Sequence, residues 1–220
     1  TCGGCVLQHV DTGAYLSWKR DRIVEALRQQ GLDAVVGQTV SVPPGSRRRI
    51  RLAFRAAGGR MLAGFREARS ERIVNVRECP VASPSIVEFL PDLRTFLSKH
   101  AGKGEAAVTA ADNGLDVAVF ADREPGLDLR LDAPEFCATA GVARLVWATG
   151  KGTLEPLITL ETPRVSFGGI AVTPPPDAFL QPTAEGEAVL RETVLASLGS
   201  PCRVVDLFAG CGAFSLPLAA

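Results

Sequence analysis

The chain lacks an excess of charge of either sign. Lys and Arg total 24 and Asp and Glu total 24, so net charge gives no information about nucleic acid and only the distribution of charge can. It also lacks an apolar run long enough to span a bilayer, and its first residues are not a basic start followed by an apolar stretch. These absences predict a cytoplasmic protein with no membrane partner. Histidine is scarce: His9 and His100 stand without companions and receive no chemistry. Aromatics are few and scattered in apolar patterns, so core is their default reading. There are 6 cysteines, too few without a secretory signal to suggest a disulfide framework.

The chain of 220 residues has room for one large domain or two modest ones. It opens inside a Cys-x-x-Cys pair and closes in what reads as the first turns of a helix. Such ends predict a trimmed piece of a longer protein, a proteolytic fragment, or a sequence that gives only the ordered part.

Periodicity places a helix over residues 14–30, with Leu16, Ile23, Val24 and Leu27 on one face and Gly31 as its stop. In Arg49–Arg55, Ile50, Leu52 and Phe54 alternate with polar positions, as in a strand with one buried face. After a turn at Ala56–Gly59, Arg60–Glu67 returns as its partner, and Ile73–Val76 is a third strand. Ser83 and Pro84 open a helix whose apolar stripe runs from Ile86 to Leu97, with Pro91 expected to kink or restart it. Asn113-Gly114 predicts a hairpin between Ala106–Ala111 and Leu115–Ala121. A short helix at Pro134–Ala140 and strands at Ala143–Ala148 and Leu157–Glu161 complete an α+β section rich in antiparallel strands. Thr173–Pro176 is a linker. Beyond it come a helix over Thr183–Leu198, a short apolar strand at Arg203–Leu207, a glycine turn at Gly210 and Gly212, and a helix from Phe214. Strand, glycine turn and helix open a parallel α/β nucleotide-binding fold.

Three constellations could carry chemistry. Cys2-Gly3-Gly4-Cys5 with the distant Cys79-Pro80 suits a zinc or iron–sulfur site, and inert thiols or a redox pair are the rival readings. Asp206-Leu207-Phe208-Ala209-Gly210-Cys211-Gly212 suits a cofactor turn, where glycine lets backbone approach a ligand, or else a generic α/β turn. Basic residues cluster at Arg47, Arg48, Arg49, Arg51, Arg55, Arg60, Arg66 and Arg69. Arg49, Arg51 and Arg55 would share the outer face of their strand, a row suited to phosphates or simply a solvated face. Cys137, Cys202 and Cys211 lack partner motifs and read as small buried residues.

In order along the chain, Cys2-Gly3-Gly4-Cys5-x-x-x-His9, Arg47-Arg48-Arg49-x-Arg51-Leu52, Gly64-Phe65-Arg66, Ile73–Val76, Cys79-Pro80-Val81, Phe179-Leu180-Gln181-Pro182 and Asp206–Ala219 resemble the RNA (uracil-5-)-methyltransferases. The cysteine set resembles the ribosomal-RNA branch, which holds a [4Fe–4S] cluster. The resemblance implies S-adenosyl-L-methionine as cofactor and RNA, in particular 23S ribosomal RNA, as partner. It implies Cys2, Cys5 and Cys79 as cluster ligands, with a fourth a few residues before the chain. It implies Gln181, Phe208, Gly210, Gly212 and Ala213 as cofactor contacts, although relatives often have Asn where Ala213 stands. Arg47, Arg48, Arg49, Arg51, Arg55 and Arg66 are the expected RNA contacts.

The family reaction adds a cysteine thiolate to uracil C6, so that C5 attacks the sulfonium methyl; a carboxylate then takes the C5 proton and the cysteine leaves. The resemblance places that cysteine and base beyond residue 220, so no catalytic residue is expected here and the 220-residue chain alone should be inactive. The expected organisation is a cysteine segment (1–13), a helical segment packing with the methyltransferase domain (14–46), a central α+β domain (47–176) and the start of an α/β Rossmann-like class I methyltransferase domain (177–220). The last part should need the C-terminal half, a partner or a second copy to fold stably. A non-catalytic RNA-binding iron–sulfur module is the alternative.

Overall fold

The structure, a computed structural model, describes residues 2–199 and 203–220. The expectation for Cys202 lies outside the described residues. Among the described residues no helix is long and apolar enough to cross a membrane.

A seven-stranded sheet organises the molecule. Its strands are β1 (Arg49–Ala57), β2 (Arg60–Arg66), β3 (Ile73–Asn75), β4 (Lys103–Ala111), β5 (Gly114–Ala121), β6 (Val142–Thr149) and β7 (Glu155–Thr159), in the spatial order β3-β2-β1-β4-β5-β6-β7. Every pairing is antiparallel except β5 with β6. That pair needs a crossover, which α3 (Leu127–Thr139) supplies. α2 (Pro84–His100) packs beside α3 on the same face.

The period-2 pattern of β1 decides which face they cover. Ile50, Leu52 and Phe54 are buried with Ala106, Val108, Val117, Val119, Leu145 and Trp147 beneath Ile86, Phe89, Leu90, Leu93, Phe96 and Leu97 of α2. Each large side chain buried in this way contributes about 1.5–3 kcal/mol. The α2 helix continues through Pro91 without a break. Pro91 is exposed, so the carbonyl it deprives of a donor lies toward water.

On the opposite face Ala107, Ala118 and Val146 form a small buried apolar cluster, with Phe120 and Leu154 packed against it. Gly64 marks the tightest strand approach. A Cβ at this position would meet the Val74 carbonyl oxygen at 1.9 Å, so no larger residue fits between β2 and β3.

Several elements differ from the sequence reading. The β4–β5 ladder closes at Ala111 opposite Gly114, so Asp112 and Asn113 form the turn rather than Asn113 and Gly114. Asn113 is held from outside: its amide donates to Glu161 and to the Thr162 carbonyl, and its side-chain oxygen accepts from the Arg164 N–H. The third helix begins at Leu127, seven residues earlier than the periodicity suggests. A hairpin of β8 (Val165–Phe167) and β9 (Ile170–Val172) was not anticipated.

The first helix, α1 (Thr12–Gln29), is capped by the Asp11 carboxylate on the Ala14 N–H and buries no residue. Leu16, Val24 and Leu27 are half-buried, whereas Ile23 is exposed. The chain returning along it is tied by Arg20 to the Val36 and Gly37 carbonyls. Val42, further along, lies beside Gly186 of α4 (Ala184–Leu198).

Residues 203–207 do not form the expected strand. No neighbouring strand among the described residues offers a ladder there, and an apolar strand cannot hold its backbone groups satisfied alone. The terminal helix is α5 (Ser215–Ala219).

Candidate functional site

Two regions gather the residues the sequence singles out. The first is a cavity of about 450 Å³ at one end of β1 and β2, lined by Cys2, Cys5 and Cys79 together with Arg47, Arg49 and Phe65. Cys2 and Cys5 sit on the N-terminal loop, which docks on the end of β2 through the Gly3 N–H and the Arg66 carbonyl at 3.1 Å. A side chain at Gly3 would strike that carbonyl at 2.5 Å, which explains the glycine in physical terms. The Gly4 N–H donates to Cys2 Sγ at 3.3 Å.

Cys79 arrives from the loop between β3 and α2. Arg94 of α2 secures the start of that loop by donating to Asn75 Oδ1 at 3.0 Å and to the Val76 carbonyl. Its guanidinium is pushed below the ordinary arginine value by burial, and Arg77 adds to the effect.

The three thiols feel one another. Burial raises the Cys5 thiol above its ordinary value, the charges of Cys79 and Cys2 raise it further, and Arg47 opposes them. They line one cavity without converging: among the described residues no three His, Cys, Asp or Glu side chains are arranged to hold a metal ion.

The second region is the meeting of the Phe179–Pro182 segment with the glycine turn. Thr183 caps α4 by accepting from the Gly186 N–H. Leu180 is buried with Val165 and Phe167, and Cys211, Ala213 and Leu216 pack against that cluster. Gln181 follows Leu180 in the chain, and so lies next to a member of the cluster on which the turn packs. Gly210 and Gly212 have φ of 58° and 84°, and Phe208 takes the left-handed conformation at φ 62° with its side chain fully exposed. Asp206 Oδ2 is buried without a hydrogen-bond partner. An orphaned buried carboxylate oxygen beside an exposed ring and two left-handed glycines suits a polar ligand with an apolar flank. Gln181, Phe208, Gly210, Gly212 and Ala213 are the residues that would hold it.

The arginines part company. Arg48 shares the parity of Ile50 and Leu52 and turns inward, only 8% exposed. It pairs with buried Glu187 at 2.5 Å and donates to the Gln181 carbonyl at 3.2 Å, so it does not face a phosphate. Arg49 donates to Asp177 Oδ1 at 2.7 Å, and Arg51 bonds the other oxygen of the same carboxylate. Arg51 also lies over the Phe120 ring, 4.7 Å from its centroid. Arg66 pairs with Glu71 and Glu105, each at 3.1 Å. Among the described residues Arg55 has no carboxylate partner, nor do Lys103 and Lys151, which line the same groove and went unread in the sequence.

The remaining cysteines are quiet. Cys137 is on the buried face of α3, which pushes its thiol up to about 12, and burial raises the Cys211 thiol as well. Neither is activated as a nucleophile.

An α+β domain with a mostly antiparallel sheet, followed by the opening of a class I methyltransferase fold, is the architecture that these elements define. Its fold matches the crystal structure of a tRNA (uracil-54, C5)-methyltransferase of Pyrococcus abyssi in complex with S-adenosyl-L-homocysteine. The TM-score is 0.75 at 21% identity, over 100% of this chain and 56% of that one. In sequence the chain is 40% identical over 224 residues to a protein named as an RNA methyltransferase of Mesorhizobium japonicum, and 37% identical over 222 residues to one of Rhizobium meliloti. It is 32% identical over 234 residues to the 23S rRNA (uracil(1939)-C(5))-methyltransferase RlmD of Vibrio vulnificus. The alignments cover 99–100% of this chain but 51–52% of those proteins, so the chain spans about half the length of the curated relatives it matches. No family model matches it.

Proposed function

We propose that this chain is the central region and the cofactor-site opening of a cytoplasmic, S-adenosyl-L-methionine-dependent RNA methyltransferase acting on uracil C5, in 23S ribosomal RNA. The observation that carries the reading is the cluster of Leu180, Val165 and Phe167 with Cys211 and Ala213 of the glycine turn packed against it, in the same segment as the orphaned Asp206 oxygen. The likeness to named RNA methyltransferases along the whole chain supports it. The cofactor would supply the methyl group. Glycine backbone at Gly210 and Gly212 would let it approach closely, Gln181 would offer amide hydrogen bonds, and Phe208 an apolar face. The covalent nucleophile would be a cysteine in the part of the protein's relatives that this chain does not span.

RNA would lie along the face of the sheet opposite α2 and α3. A groove of about 660 Å³ is lined there by Arg55, Lys103 and Lys151, by Arg51 and Arg66 in their carboxylate pairs, and by Glu71, Glu105, Asp122 and Phe120. Cations without internal partners can neutralise phosphates, and the exposed part of an aromatic ring can receive a base. Arg47 borders the neighbouring cysteine cavity and would extend the basic surface.

Cys2, Cys5 and Cys79 would ligate a [4Fe–4S] cluster together with a fourth ligand. Support comes from their shared cavity and the glycines that allow the tight loop. Iron content and visible absorbance of the anaerobically purified full-length protein test this part separately.

Nucleoside analysis of ribosomal RNA from a strain deleted for the encoding gene tests the main reading. Loss of one 5-methyluridine, restored by the gene, supports it. An unchanged nucleoside profile would leave the non-catalytic RNA-binding module in its place.

A further inference from the structure

The segment between β9 and α4 crosses the face of the sheet opposite α2 and α3 with three consecutive prolines, Pro174–Pro176. Proline has no N–H, so this stretch cannot join a ladder and its course must be fixed by other bonds. Arg144 and Arg49 of the sheet hold its first part, and Arg48, just before β1 and turned the other way, holds its far end. Arg144 of β6 donates to the Pro174 carbonyl at 2.9 Å, Arg49 to the Asp177 carbonyl at 3.3 Å, and Arg48 to the Gln181 carbonyl at 3.2 Å.

Each guanidinium is neutralised where it stands. Arg144 makes a two-pronged pair with Asp116 at 2.8 and 2.7 Å, and both residues are buried. Arg49 shares Asp177 with Arg51, and Arg48 has Glu187. Asp177 is held at φ 57°, a left-handed conformation uncommon for a residue with a side chain, and two arginines fix its carboxylate. The Arg48 N–H adds a bond to the Pro182 carbonyl at 2.8 Å. The backbone of Arg47 is tied to Ala82, on the Cys79 side, and to Thr183, on the Gln181 side.

We propose that Arg48, Arg49 and Arg144, with Asp177, Glu187 and Asp116, are positioning residues that clamp the linker to the sheet and so hold Gln181 in register with the glycine turn. The arginine-rich motif at the start of β1 then serves the cofactor site, and the phosphate-contacting role passes to the cations further along the groove. The inference rests on the reading of Gln181 as a cofactor contact, but the clamp itself can be measured without it.

The test uses the full-length protein with Arg49→Ala, Asp177→Ala, the double substitution and Asp177→Asn. Amide hydrogen exchange at residues 178–181 reads the clamp, calorimetry with S-adenosyl-L-homocysteine reads the cofactor site, and RNA affinity against salt reads the phosphate contacts. Either alanine substitution should speed exchange in that segment about tenfold and weaken the homocysteine ligand about tenfold, with the salt slope for RNA unchanged. The double substitution should cost less than the sum of the two single ones, because they share the Arg49–Asp177 ion pair, and should be worse than either, because Arg49 also holds the Asp177 carbonyl and Asp177 also holds Arg51. Asp177→Asn keeps an acceptor and should fall between wild type and Asp177→Ala. Unchanged exchange at residues 178–181 in every variant overturns the clamp, as does an Arg49→Ala protein whose only defect is a lower salt slope for RNA. A wild-type protein that fails to bind S-adenosyl-L-homocysteine overturns the cofactor reading instead, and the exchange result still decides the clamp.

Discussion

Glu187→Ala should be among the most damaging single substitutions in the chain. The carboxylate is 2% exposed and sits 2.5 Å from Arg48 and 3.3 Å from Arg191. Its removal leaves the Arg48 guanidinium buried with only the Gln181 carbonyl as a partner. Breaking a buried ion pair from one side costs about 3–5 kcal/mol, because the remaining charge keeps its desolvation penalty. Chemical denaturation of the full-length protein should read this loss as a lower transition midpoint for the part that contains α4. Glu187→Gln keeps an acceptor and should cost about 1–2 kcal/mol. Replacing both partners, Arg48→Met with Glu187→Leu, should recover most of the stability because no charge is left buried. It should not recover S-adenosyl-L-homocysteine affinity, because the tether to Gln181 is gone. A Glu187→Ala protein within about 1 kcal/mol of wild type would refute the reasoning, since such a small loss belongs to solvated surface pairs.

Gly64→Ala should destabilise the β2–β3 pairing by more than the ~1 kcal/mol of an ordinary propensity change, since backbone must move; exchange of the β3 amides reads this directly. Cys137 gives a pH signature. Its folded thiol ionises only near 12, whereas the unfolded thiol ionises near 9, so the unfolded state gains by losing its proton between them. Stability should therefore fall by about 1.4 kcal/mol per pH unit across that window, and Cys137→Ala should lack this slope in denaturant titrations. Arg55→Ala and Lys103→Ala should each reduce the salt slope of RNA binding by about 0.7–0.9, with almost no change in unfolding temperature. A slope unchanged in both would remove RNA from the groove.

Much of this was legible in the sequence, and the failures have physical causes. The alternation in β1 shows its buried face, and the same parity places Arg48 inward with Ile50 and Leu52. That signal was available, but its explanation, Glu187, lies 139 residues away and is visible only in the fold. Asp177, Arg144 and Asp116 carry no local pattern either, since their roles depend on the linker crossing the sheet. The β8–β9 hairpin could have been read from Val165-Ser166-Phe167-Gly168-Gly169-Ile170-Ala171-Val172, where alternating residues flank a Gly-Gly turn. The displaced turn at Asp112-Asn113 follows from tertiary bonds to residues 161–164, which outweigh the local Asn-Gly preference. Cys2, Cys5 and Cys79 line one cavity, where Gly3 lets the first loop dock on β2, but among the described residues no three metal-ligating side chains are arranged to hold an ion.

Tritium release tests the central claim most directly. The full-length protein is incubated with S-adenosyl-L-methionine and RNA carrying tritium at uracil C5, and methyl incorporation is followed in parallel. Transfer to C5 predicts one tritium released to water for each methyl group gained, because the C5 proton must leave when the methyl stays. Methyl incorporation without tritium release would place the reaction at another atom, and tight RNA binding with neither signal would contradict the assignment of an enzyme.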